Sequence, residues 1–235
     1  MIHGYTKTTL LDYPGHIAST LFLGGCNFLC PFCHNSSLVS VNNSIPTLDD
    51  HLIFDDIKKR KHLIEGVVLT GGEPSLASDL ISLVTQIKEL GLKVKLDTNG
   101  SNPKVLERLL DLQLLDYVAM DIKASKENYS RTCGLHHNTA DRLLDHIETS
   151  IHLLKHNSYL EDYEFRTTVI QEFHDLHDLE KIANWILPAK HWFLQCYEYN
   201  PNQLNLEVYH PIEKEPLEQF IATLGISAKI QLRGY

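Results

Sequence analysis

The sequence predicts an α/β fold built on a parallel sheet. Strand-length stretches that are apolar or β-branched recur along the 235 residues. Between them lie segments whose apolar residues repeat at helical spacing. Strands alternating with helices call for right-handed crossovers and parallel pairing. Two architectures satisfy that alternation, a doubly wound open sheet and a partial (β/α) barrel. The residues best suited to chemistry each follow a strand, and side chains gathered at the carboxyl ends of several strands are the barrel arrangement.

The elements follow in order. Residues 16–23 are the first strand, an apolar run. Thr47-Leu48-Asp49-Asp50 fits a capping box that opens a helix to about His62. Residues 66–70 are a continuous apolar strand, buried on both faces. Ser78 can cap the next helix, with Leu80, Leu83, Val84, Ile87 and Leu90 on one stripe and Gly91 at its end. Residues 93–97 are a third strand. Asn102-Pro103 opens a helix with proline at its first position. Residues 117–121 and 164–170 are the fourth and fifth strands. Leu143, Leu144, Ile147, Ile151 and Leu154 mark the helix between them. Leu179, Ile182, Ala183 and Ile186 mark a fifth helix, before a sixth strand over residues 192–197. Leu217, Phe220, Ile221 and Leu224 mark the last helix, closed by Gly225, with an edge strand at residues 229–232. The expected loops are residues 39–46, 123–138 and 200–216.

Composition excludes some classes. An apolar share of 43% supports a full core, and we expect one domain over residues 1–235. A net charge of −9 argues against a general nucleic-acid or membrane-surface binder, since both need a basic face. No apolar run approaches the roughly 18–20 residues of a membrane helix. The first seven residues hold no apolar stretch of the signal-peptide kind. The expectation is a cytoplasmic protein with reduced thiols. The fourteen histidines are scattered, and none is assigned to a metal.

Three of the five cysteines, Cys26, Cys30 and Cys33, form a C-x₃-C-x₂-C array on the loop leaving the first strand. Thiolates select iron–sulfur clusters or zinc. Three of them leave one corner of a four-iron cluster open, and an open metal position can bind and activate a ligand. A zinc knuckle completed by His34 is the competing reading, although adjacent Cys33 and His34 are awkward co-ligands. Gly71-Gly72-Glu73-Pro74 leaves the second strand. Its glycines let backbone approach a ligand, and Glu73 adds negative charge; a plain turn is the alternative. Asp97 and Asp121 end the third and fourth strands. Lys123 can hold a carboxylate as a point charge. Arg166, within a β-branched strand, needs a ligand carboxylate or a strand-end aspartate as partner. Cys133 and Cys196 read as ordinary buried or loop residues.

The array, with Phe32 just before its last cysteine, and Gly-Gly-Glu-Pro one strand later resemble the radical S-adenosylmethionine (SAM) superfamily. Leu11-Asp12-Tyr13-Pro14-Gly15, Gly24-Gly25-Cys26 and Cys33-His34-Asn35 further resemble the activating proteins of anaerobic (class III) ribonucleoside-triphosphate reductase. The resemblance implies an open (β/α)₆ partial TIM barrel of the radical SAM type. It implies a [4Fe-4S] cluster held by Cys26, Cys30 and Cys33, with SAM chelating the fourth iron. Phe32, Gly71, Gly72, Glu73 and Pro74, then Asp97, Asp121, Lys123 and Arg166, are the implied cofactor-binding residues. On the sixth strand Gln195 stands near where pyruvate formate-lyase activating enzyme has a SAM-contacting histidine, and is the candidate for the adenosine side. The implied reaction reduces the cluster from a donor such as flavodoxin or ferredoxin. It then cleaves SAM to a 5′-deoxyadenosyl radical and takes hydrogen from a backbone glycine of a partner glycyl radical enzyme. A radical SAM enzyme acting on a small molecule, such as a 7-carboxy-7-deazaguanine synthase, and a non-catalytic zinc-binding module stay open.

Overall fold

The computed structural model describes residues 2–41, 45–135, 137–225 and 229–235, with backbone alone for 137–141. Eight strands form one sheet whose spatial order is the chain order: β1 (Ile2–Thr9), β2 (Ala18–Leu23), β3 (Gly66–Gly71), β4 (Lys93–Thr98), β5 (Tyr117–Asp121), β6 (Asp162–Val169), β7 (Trp192–Cys196) and β8 (Ile230–Arg233). β1 runs antiparallel to β2, and every later pair is parallel. A doubly wound sheet reverses its order at a switch point. This one never does, which decides between the two architectures. Among the described residues β1 and β8 do not pair with each other, so the barrel is open.

With right-handed crossovers, a sheet that always advances the same way keeps its helices on one face. These are α1 (Asp50–Arg60), α2 (Leu80–Glu89), α3 (Pro103–Asp111), α4 (Tyr129–Thr132), α5 (His137–His156), α6 (Leu176–Ile186) and α7 (Lys214–Thr223). Strand side chains alternate between faces. Val94, Leu96, Val118, Met120, Phe165 and Leu194 turn outward into the core shared with the helices. The inward face is mostly polar, with Lys95, Asp97, Asp121, Glu164 and Arg166. Its apolar part is a separate cluster of Tyr13, Ala18, Val68, Tyr117 and Ala119 at the amino end of the strands. Tyr13 is 1% exposed and plugs that end.

Several boundaries differ from expectation. The first parallel strand starts at Ala18, because Gly15 turns the chain at φ +77° and His16 N–H donates to the Tyr13 carbonyl. β1 was not anticipated: Thr6, Lys7 and Thr8 are exposed on an edge strand and carry no apolar signal. Thr47 does not cap α1; Leu48 N–H is engaged by the Ile2 carbonyl, and Asp49 accepts from His51 N–H instead. α2 begins after Asp79, so Ser78 is not its cap. The loop at 123–138 contains α4, and the edge strand is Ile230–Arg233, parallel to β7.

Candidate active site

The sulfur loop leaves β2 and is fastened on three sides. Gly25 and Cys26 N–H donate to the carbonyls of Leu38 and Val39 at 2.8 and 3.0 Å. Leu29 N–H donates to the Cys133 carbonyl at 2.9 Å, just past α4. On the third side Asn205 N–H donates to the Pro31 carbonyl at 3.0 Å, and His34 Nε2 lies 3.0 Å from the Glu198 carbonyl oxygen. That contact ties the His34 ring to the loop after β7. All five cysteines are free. Burial pushes the Cys26 thiol up to about 12 and also raises Cys33. Cys30 is moved the other way, lowered first by a hydrogen bond from the Cys133 thiol.

Gly71-Gly72 lies against this loop. Gly71 has φ +116°, and a Cβ there would come within 2.4 Å of the Leu23 carbonyl oxygen. A Cβ on Gly72 would lie 2.2 Å from the Gly25 carbonyl oxygen. Only glycine permits this approach. Glu73 N–H donates to that same carbonyl at 2.7 Å, and Asn35 Nδ2 donates to the Gly71 carbonyl at 2.9 Å. The Glu73 side chain turns away from the cavity. It is 1% exposed and accepts from Ser75 N–H, Thr98 Oγ1 and Asn99 N–H at 3.0, 2.8 and 2.6 Å. Desolvation still raises its pKa above the usual range. Pro74 opens a single 3₁₀ turn over Pro74–Leu76. Glu73 and Pro74 therefore join the loop after β3 to the loop after β4, while the glycine backbone faces the cavity.

Inside the barrel a row of alternating charges crosses three strands, β4, β5 and β6. Lys95 Nζ donates to Asp97. Arg166 Nη1 reaches Asp97 at 3.3 Å, and its Nε donates to Asp121 Oδ1 at 2.8 Å. Lys123 Nζ donates to the other Asp121 oxygen at 2.8 Å. Arg166 thus takes two strand-end aspartates as partners, the internal alternative of the two expected. Burial would raise Asp121, but Arg166 and Lys123 outweigh it and hold the carboxyl down at about 2. Burial alone would lower Lys123, but Asp121 and, after it, the Cys30 sulfur raise it above the usual lysine range.

These parts border one cavity of about 440 Å³ at the carboxyl ends of the strands. It brings together Cys26, Cys30, Phe32, Cys33, Gly71, Gly72, Asp97, Asp121, Lys123, Arg166 and Gln195, but not Glu73 or Pro74. Sequence reasoning missed Asp12, Thr70, Asn99 and Thr168 as cavity residues. Thr168 was recoverable, two residues beyond Arg166 on the same strand face. Asp12 carries no such signal; a loop from the opposite end of the sheet brings it in, with Thr20 Oγ1 donating to its carboxylate at 2.6 Å.

Comparison with known proteins agrees. The model of the radical SAM superfamily matches residues 20–186. A Methanocaldococcus jannaschii protein, provisionally named a glycyl-radical enzyme activating enzyme, is 32% identical over 230 residues, covering 97% of this chain and 92% of its own length. A second protein of that organism with the same kind of name is 29% identical, covering 80% and 70%. Provisionally named GTP 3′,8-cyclases of Saccharolobus islandicus share 35% identity over 128 residues, 54% of this chain and 40% of theirs. Among solved structures, Streptococcus suis SuiB superposes with a TM-score of 0.67 at 12% identity, covering 92% of this chain and 48% of that one. Escherichia coli QueE gives 0.57 at 15%, covering 100% and 93%. Those two likenesses speak for the fold. With the family model covering most of the chain and a relative matched nearly end to end, this protein belongs to the radical SAM superfamily and is an enzyme that uses a [4Fe-4S] cluster and SAM.

Proposed function

We propose that this enzyme is an activase that takes a hydrogen atom from a backbone glycine of a partner glycyl radical enzyme, and that the partner is an anaerobic ribonucleoside-triphosphate reductase. The observation that carries the reading is the near end-to-end similarity to a provisionally named glycyl-radical enzyme activating enzyme. The family-specific leader and Cys-His-Asn ending support the choice of reductase.

The donor set fits the cofactors. Among the described residues no three His, Cys, Asp or Glu side chains close on one point as a single ion requires. A cuboidal cluster instead takes each thiolate at a separate corner. In our reading Cys26, Cys30 and Cys33 hold it. The raised thiols mean that loading displaces protons from Cys26 and Cys33. The Gly71-Gly72 backbone lines the cavity and would hold the SAM ammonium there. Glu73 and Pro74 serve by fixing that backbone. Lys123 would offer a cation to the SAM carboxylate, while Arg166, held by Asp97 and Asp121, would face it only through its remaining N–H groups. Phe32, whose ring lies 5.5 Å from that of Phe173, walls the cavity, and Gln195 gives an amide on the adenosine side. Cluster and SAM together supply a 5′-deoxyadenosyl radical once a flavodoxin- or ferredoxin-type donor, in the cytoplasm, delivers one electron. The chain's part is to hold both groups and exclude water.

The test is anaerobic incubation of reconstituted, reduced protein with SAM and the candidate reductase. A glycyl radical doublet by electron paramagnetic resonance is expected, and Cys30→Ala abolishes both it and 5′-deoxyadenosine. Turnover of a small molecule with no doublet on any glycyl radical enzyme would favour the small-molecule reading. Bound zinc with no recoverable iron would return the zinc module.

A further inference from the structure

His174 is 3% exposed and does not border the cavity. It lies between the end of β6 and the start of α6, and its ring joins two backbone groups. Ile170 N–H donates to Nδ1 at 3.1 Å, so the ring proton sits on Nε2. Nε2 lies 2.8 Å from the Lys123 carbonyl oxygen and donates to it. On the first turn of α6, Asp178 is equally buried. It accepts from Ser125 Oγ, from Ser125 N–H at 3.3 Å and from Asn128 Nδ2 at 2.7 Å. The chain entering α6 therefore grips the loop after β5 at Lys123, and again at Ser125 and Asn128. From the strand side, Thr167 Oγ1 donates to the Ile122 carbonyl at 2.9 Å. Both peptide units that flank the Lys123 Cα are thus held, and from there the side chain reaches the cavity, where Nζ meets Asp121 at 2.8 Å.

We infer that His174 is a positioning residue: by its hydrogen bond to the Lys123 carbonyl it aims the Lys123 ammonium at the SAM carboxylate. Each peptide unit is planar, so holding the two around one Cα fixes the direction of its Cα–Cβ bond. Lysine is a point charge on a flexible stem. Its aim depends on where the stem is rooted, as well as on Asp121 at its tip. Without the His174 donor the Lys123 carbonyl loses the partner that holds its peptide plane. The inference rests on the reading of Lys123 as the cation for the SAM carboxylate, not on the identity of the partner enzyme.

The experiment measures SAM binding to the anaerobically reconstituted full chain by equilibrium dialysis, with the cluster oxidised so that no SAM is consumed. Lys123→Ala is expected to raise the Kd about tenfold, the loss of one charge-assisted contact. His174→Asn keeps an acceptor for Ile170 N–H but falls short of Lys123. With its iron complete, it raises the Kd about fivefold. His174→Gln carries an amide donor out to the Nε2 position and binds within about twofold of the parent. Lys123→Ala combined with His174→Asn binds no more weakly than Lys123→Ala alone, because the two changes remove one interaction. Should His174→Asn not fold, His174→Phe fills the space of the ring without a donor and takes its place. Parent-like binding by the donor-less variant overturns the inference. So does His174→Gln binding as weakly as the donor-less variant. Additive losses in the combined variant overturn it too, since His174 would then act elsewhere than through Lys123. Parent-like binding by Lys123→Ala overturns both this inference and the reading of Lys123 on which it rests. A parent that binds SAM but raises no glycyl radical leaves this inference standing.

Discussion

Arg166 is the residue on which the cavity wall turns. It is one cation shared by two partly buried carboxylates, Asp97 and Asp121. Arg166→Met leaves both facing a missing partner. Breaking a fully buried pair from one side costs about 3–5 kcal/mol; these carboxylates border the cavity and keep Lys95 and Lys123, so we expect a loss of about 1–3 kcal/mol in urea denaturation. Arg166→Lys restores less than half, because a point charge cannot span both aspartates. Asp121 adds a pH signature. Its carboxyl is lower in the folded chain, at about 2 against an ordinary 3.8. Its contribution is therefore present in full above about pH 4 and is lost as the pH falls towards 2. Asp121→Asn should flatten that acid limb by about 2 kcal/mol in stability measured from pH 5 to 2. Glu73 differs again. Its three acceptor contacts are structural, and Glu73→Gln turns one acceptor into a donor facing another donor, at a cost of about 1–3 kcal/mol. At this scale the sequence named the charged residues but could not pair them. Arg166 and Asp97 lie 69 residues apart, and their partnership exists only once β4 and β6 flank β5.

The sulfur loop and the Gly-Gly turn act as one element. Their shared hydrogen bonds at the Gly25 and Gly71 carbonyls place the sulfurs beside the glycine backbone. Gly72→Ala drives a methyl into the Gly25 carbonyl. We expect the variant to stay folded, because the strands are untouched, yet to lose most of its iron on anaerobic gel filtration. Full iron retention would show that the loop can yield. The parallel strands were legible because each is a short apolar or β-branched run bounded by turn residues. β1 was not, since an edge strand need not be apolar on its exposed side. Nor was α4, a single polar turn whose purpose is visible only where it meets Leu29.

The whole molecule is a row of strands with an apolar outer layer and a charged lumen. The lumen is sealed at one end by Tyr13 and stitched at one edge by Arg233, which donates to both Glu164 oxygens at 3.1 Å. Tyr13→Ala opens a void against Gly66, Val68 and Tyr117. The expected loss is about 3 kcal/mol, or ~6–12 °C in Tm by calorimetry. No helix of the described residues is long and apolar enough to cross a membrane. The barrel class was readable from where the chemistry sits, and the family resemblance pointed to its openness, which no local pattern encodes. Chain-ordered pairing has one more effect. Each strand finds its neighbour in the stretch synthesised just before it, so no strand pairing has to wait for the two chain ends to meet, and only loop contacts such as Asn205 to Pro31 close late. The nascent polypeptide can therefore add one strand–helix unit at a time as it emerges from the ribosome.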